Sequence, residues 1–234
     1  MFDDFGLIFS SILDGLPVTI AATVGGIALT VVLSFIAGLA LLSPSRLVRF
    51  IARVYVEGFR GTSEVVQLFW IFFVLPVLVG LELVPLFAGI LVLGLNHGAY
   101  GAEIVRGAVQ SVPRAQREGA IALNLSPAVR MRRVILPQAV VEMLPSFNNL
   151  FIQLLKSTAL LYFISAGEIT ERGELLRPAL PMGQLTVIYG VELLFYLLLA
   201  ILITIGMRTL ERIGSRKLGR TPKPRPKILS AGGT

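Results

Sequence analysis

The chain has 234 residues, of which 55% are hydrophobic and only 15% are charged. A soluble domain carries about 25% charged residues, so this composition excludes an ordinary water-soluble globule and points to a bilayer. Zero cysteines exclude a disulfide frame and thiolate metal sites, while a net charge of +7 raises nucleic acid and membrane surface as rival partners.

In chain order, the acidic start MFDDFG lacks the basic pattern of a signal peptide, so residues 1–14 read as a short extracytoplasmic segment. Residues 15–45 carry no charge, enough for one spanning helix of about 20 residues. Arg46, Arg49, Arg53 and Arg60 follow in what reads as a loop, then further apolar runs. The runs are continuous rather than alternating, which predicts spanning helices and not a barrel. The expectation is an all-α integral membrane protein with five spans, near 17–43, 61–81, 86–105, 140–165 and 185–207, inside a 15–210 domain. Residues 211–234 form a basic, proline-rich tail.

Between the third and fourth spans lies a charged stretch, RAQREGAIALNLSPAVRMRRVILPQ. Ser126 followed by Pro127 is a helix-start signal, so two short helices are predicted over 112–137, with a corner at Asn124 and Leu125. Asparagine tolerates the left-handed backbone of such a corner. So charged an elbow has to project into water.

Basic residues say on which side. Eighteen of the 21 lie in the segment after the first span, around the elbow and in the tail; only Arg172 and Arg177 lie in the opposite connection, and Lys156 is within a span. The positive-inside bias places the N-terminus outside and the elbow and C-terminus in the cytoplasm. The basic tail then serves orientation and anionic lipid headgroups. No aromatic residues interleave its charges, so nucleic acid is not expected as a partner.

Polar residues within spans fall on helical faces. Ser146, Asn149, Gln153 and Lys156 share one face of the fourth span. Asn96, Tyr100 and Glu103 do so in the third, with His97 adjacent, and Tyr189, Glu192 and Tyr196 in the fifth. Lysine is a costly way to hold helices together, so the Asn149–Gln153–Lys156 face reads as the wall of a solute pathway. Thr19, Thr23, Thr30 and Ser34 of the first span read instead as polar contacts between packed helices. His97, the only histidine, fits hydrogen-bonded packing better than a proton relay. Helical rise puts Lys156 and Glu192 at similar depth, which predicts a pair or a shared solute contact. No cluster has metal spacing, and neither a P-loop nor a nucleophile motif occurs, so no metal, cofactor, catalytic residue or enzymatic activity is expected.

The elbow resembles the cytoplasmic loop of bacterial ABC importer permease subunits, E-A-A-x3-G-x9-I-x-L-P. Glu118, Gly119 and Ala120 match its start, Asn124 stands at the glycine, and Val134, Leu136 and Pro137 match its end. Gly119 for alanine and Asn124 for glycine are the two departures. VEGFRGTSEVVQLFW, HGAYGAEIVRGAVQSVP and the Leu154–Thr158 stretch LLKST are similar to three further segments of polar amino acid permeases. Within that group, RGTSEVVQLFWIFFVLP looks most like ectoine and hydroxyectoine permeases. The resemblance implies a type I ABC importer permease fold in the bacterial inner membrane, paired with a second permease subunit. It also implies cytoplasmic ATPase subunits that dock on Glu118 to Pro137, and an extracytoplasmic solute-binding protein. The pathway residues would be Asn96, His97, Tyr100, Glu103, Asn149, Gln153, Lys156, Thr158 and Glu192. Residue by residue, a secondary transporter or channel working without an ATPase remains the rival reading, although five spans do not divide into equal inverted halves.

Overall fold

The structure, a computed structural model, describes residues 4–80 and 82–217. Ten α-helices lie among the described residues: α1 (Phe5–Ala40), α2 (Arg46–Arg60), α3 (Glu64–Phe69), α4 (Leu75–Val79), α5 (Pro85–Ser111), α6 (Arg114–Ala122), α7 (Pro127–Arg130), α8 (Leu136–Ser157), α9 (Ile169–Leu176) and α10 (Leu185–Lys217). Phe5–Ala40 and Met182–Lys217 are each long and apolar enough to cross a membrane alone. Two bent pairs meet the same test if each is one span: Arg46–Arg60 with Glu64–Val79, at 104°, and Pro127–Ile164 with Ile169–Leu176, at 49°.

Several boundaries differ from the sequence expectation. Helix α1 begins at Phe5, so most of the segment assigned to residues 1–14 is helical. The four arginines expected in a loop lie on α2, which turns its charged face one way and leaves Leu47, Phe50, Ile51 and Val54 exposed on another. Charge alone suggested a loop; an amphipathic helix carries the same charges on one stripe. Helix α10 runs to Lys217, and the rest of the basic tail lies outside the described residues.

Helix α5 is the central element, with α1, α2, α3 and α8 packed around it. Besides a small cluster of Ala37, Val56 and Ala102 between α1, α2 and α5, the apolar core falls into three levels. Val105, Val109, Ile135, Met143 and Phe147 pack at the end where α1 terminates. Leu68, Val92, Leu93, Leu154 and Leu161 pack in the middle, and Ile8, Ile12, Ile169, Ile188 and Phe195 at the far end. At this far end α1 and α9 meet backbone to backbone: a Cβ on Gly15 would fall 2.7 Å from both the carbonyl carbon of Glu168 and the nitrogen of Ile169. Only glycine permits that crossing.

Two π turns share one cause. Trp70–Val74 precedes Pro76, and Met131–Ile135 precedes Pro137. Proline has no N–H to give the carbonyl four residues back and clashes with it. The widened turn moves the ladder on by one residue, so that Leu75 N–H donates to Trp70 O and Leu136 N–H to Met131 O. As a result α7 runs through the π turn into α8, where a separate short helix was expected. Pro145 is a further proline inside α8 itself.

Candidate pathway and elbow

The elbow's corner lies at Asn124, whose φ of 52° is left-handed, one of two such non-glycine residues described. The turn closes through Asn124 N–H to Ile121 O at 2.8 Å and Leu125 N–H to Ala120 O at 3.1 Å. Ser126 then adopts the extended backbone of an N-cap, and Pro127 opens the second arm. Ala120 is buried, and the Arg117 guanidinium donates to Val109 O, fastening α6 to the end of α5. Glu118, Gly119, Asn124 and Pro137 are exposed, Val134 and Leu136 half-buried. Ile121 and Leu123 are 57% and 76% exposed, so the corner offers apolar side chains beside charged ones to whatever covers it.

On α8, Met143, Phe147, Leu150, Phe151 and Leu154 are buried, while Ser146, Asn149, Gln153 and Lys156 are exposed on another face. The stripe is therefore open in a single chain. Thr158 departs from it: its side chain is buried and its hydroxyl donates to Leu155 O at 2.7 Å.

Asn96 and His97 are also buried, in a network that pins the 104° bend between α2 and α3. Asn96 Nδ2 donates to Gln67 Oε1 at 3.0 Å and to Phe59 O at 3.2 Å, and Gln67 Nε2 donates to Phe59 O and to the Thr62 hydroxyl. His97 Nδ1 lies 3.4 Å from Glu64 Oε1 and 3.1 Å from Leu93 O. The Ser157 hydroxyl donates to the other oxygen of Glu64 at 2.9 Å, which joins α3, α5 and α8. Glu64, Gln67 and Ser157 were missed as site residues, although all three fall within the segments that carried the family resemblance. Tyr100 is half-buried beneath the Arg60 guanidinium, 5.3 Å from ring centroid to Cζ. Glu103 pairs with Arg106 at 2.6 Å.

The expected Lys156–Glu192 pair is not formed: neither residue has an ion-pair partner among the described residues. Lys156 is exposed, whereas Glu192 is buried against α9, so close that a Cβ on Gly173 would fall 1.8 Å from its Oε1. That oxygen has no hydrogen-bond partner among the described residues. Its stripe mates point the same way, Tyr189 donating to Glu174 at 2.8 Å and Tyr196 to Glu168 at 3.0 Å. The α10 stripe thus organises α9. Fully buried Glu168 caps that helix, accepting from Thr170 N–H at 2.9 Å and Glu171 N–H at 2.8 Å, while Glu171 accepts from Gly167 N–H. The spacing Glu168-x-x-Glu171 is that of a capping box, but with glutamate in place of serine or threonine at the N-cap. Glu171 also bonds Gly167 N–H instead of the N-cap N–H, so the sequence carried no usual start signal here.

The family described as "Binding-protein-dependent transport system inner membrane component" matches residues 30–218. The probable amino-acid ABC transporter permease protein y4tF of Sinorhizobium fredii is 43% identical over 210 residues, covering 88% of this chain and 87% of that protein. The glutamine transport system permease protein GlnP of Escherichia coli is 34% identical over 204 residues, covering 86% and 91%. Among solved structures, a crystal structure of an amino acid ABC transporter with histidines superposes with a TM-score of 0.81 at 27% identity, covering 91% of this chain and 98% of that one. An all-helical fold shared with an importer, a family match over most of the length and relatives at this identity agree: the chain belongs to the inner-membrane components of binding-protein-dependent transport systems, the permease subunits of ABC importers, and is a transport protein rather than an enzyme.

Proposed function

We propose that this permease forms one half of the pathway by which an ATP-driven importer takes up a polar amino acid or an amino-acid-derived compatible solute. Its relatives' names favour the amino acid class, and the segment from Arg60 to Pro76 favours ectoine or hydroxyectoine within it. The chain crosses the inner membrane five times, N-terminus outside and C-terminus in the cytoplasm. Cytoplasmic ATPase subunits dock on Glu118, Gly119, Ala120, Asn124, Val134, Leu136 and Pro137. A binding protein delivers solute from outside, and a second permease subunit, identical or related, completes the wall.

One observation carries the mechanism: the elbow's second arm and the open stripe Asn149–Gln153–Lys156 belong to one continuous helical run, Pro127–Ile164. Motion imposed at the elbow therefore reaches the stripe through a rigid element and needs no chain of side-chain contacts. At the stripe, Lys156 offers a cation to a solute carboxylate, and Asn149 and Gln153 offer amides. Buried Asn96, His97 and Thr158 hold the neighbouring segments, with Tyr100, Glu103 and Glu192 beside the path.

The test is reconstitution of the permease in proteoliposomes with the ATPase and binding protein encoded beside it. ATP-dependent uptake of at least one of L-glutamine, L-arginine, L-cystine and ectoine is expected. Glu118→Lys is expected to abolish that uptake while the complex still inserts. Uptake of none of the four, or uptake that persists without the ATPase, overturns the reading.

A further inference from the structure

At the elbow end of the molecule, α2 and α5 line a polar, partly open pocket of about 470 Å³. Arg53 and Glu57 line it from α2, and Glu103, Arg106 and Gln110 from α5, with Leu41 just beyond α1. Cavities of roughly 300–1,000 Å³ with a few convergent polar groups are the usual size for small-molecule sites. The charges inside are not equally free. Glu103 and Arg106 neutralise each other, with Nη2 at 2.6 Å and Nε at 2.8 Å from the same carboxylate oxygen, and Arg106 also reaches Gln110 at 3.4 Å. Arg53 and Glu57, one helical turn apart, have no ion-pair partner among the described residues. One turn further along both helices, Arg60 lies over the ring of Tyr100.

We infer that this pocket is an inner binding site for the head group of a zwitterionic amino acid, with Arg53 taking the carboxylate and Glu57 the ammonium. A simple anion would meet Arg53 but also two carboxylates, and a simple cation would meet two guanidinium groups. A zwitterion satisfies the free charge of each sign at once. The pocket shares no lining residue with the α8 stripe and lies toward the elbow, the side on which the importer reading has solute released. This inference rests on the importer reading above, since it supplies that importer's exit station.

The experiment uses the assembled permease–ATPase complex in detergent, without nucleotide or binding protein. It is equilibrated with the radiolabelled member of the four-solute panel that the proteoliposomes transport. Saturable retention is expected in the parent complex. Losing one charge-assisted contact is expected to weaken retention about ten-fold in Arg53→Ala and again in Glu57→Gln. Arg46→Ala, on the charged face of α2 but outside the pocket, keeps the parent affinity. Should Arg53→Ala fail to assemble, the isosteric Glu57→Gln decides. Transport without saturable retention overturns the inner site alone, as does retention unchanged in Glu57→Gln or equally reduced in Arg46→Ala. Absence of any transport overturns the importer reading first.

Discussion

Asn124 occupies a backbone conformation that costs a side-chain-bearing residue about 1–2 kcal/mol, and asparagine is among the few that adopt it readily. Asn124→Gly is therefore expected to leave solute uptake near the parent level. Asn124→Val, branched at Cβ, is expected to destabilise the corner by about that amount and to raise ATP hydrolysed per solute imported. Parallel measurement of both quantities in proteoliposomes checks it; equal coupling in the valine variant would count against a fixed corner. Gly15 makes a different demand, because a methyl group there meets backbone rather than a side chain that can swing away. Gly15→Ala is expected to push α9 off α1 and cost about 1–3 kcal/mol, read as a lower melting temperature of the purified complex. A melting point unchanged within error would show that the crossing is looser than described.

At the scale of the element, the π turn before Pro137 sets an angle. One extra residue in a turn rotates everything beyond it by about 100°, so the widened turn determines which way Asn149, Gln153 and Lys156 face relative to the elbow. Pro137→Ala restores the missing N–H and removes the clash. The expected outcome is a regular helix through residues 131–137 and a lowered ratio of solute moved to ATP hydrolysed. A parent-like ratio in that variant would show that the turn is not phase-setting.

Such devices explain what could be read in advance. The corner at Asn124 and Leu125, the stripe on α8 and the packing role of the first span's hydroxyls follow from local rules, and a sequence exposes local rules directly. Thr19 accepts from Ile169 N–H at 3.2 Å and Ser34 donates to Gly98 O at 3.4 Å, both across helices. Thr23, by contrast, donates to Thr19 O within α1, and the Thr30 hydroxyl has no hydrogen-bond partner among the described residues. The destination of Glu192 was not legible. Depth along a helix can be counted from the sequence, but azimuth depends on which neighbour packs there, and Gly173 of α9 leaves the space that the Glu192 carboxylate fills. Helix α2 was hidden because four arginines look like a loop until the amphipathic face is drawn.

For the whole molecule, the absence of cysteine makes topology directly measurable. Single cysteines at Asp14 and Ser126, both exposed, are expected to label from opposite sides. In intact cells, an impermeant maleimide should modify Asp14→Cys and leave Ser126→Cys untouched until the membrane is opened. Labelling of both from outside would overturn the proposed orientation and, with it, the assignment of the elbow to the ATPase side.

The run from Pro127 to Ser157 is about 45 Å of helix with Pro145 part-way along it. A beam of that length, tilted by about 5° about an interior point, moves its two ends in opposite directions by about 2 Å. Narrowing at one mouth and widening at the other would then be two views of a single displacement. A seesaw cannot have both ends up, and a carrier whose gates are the ends of one beam needs no separate device to keep them from opening together.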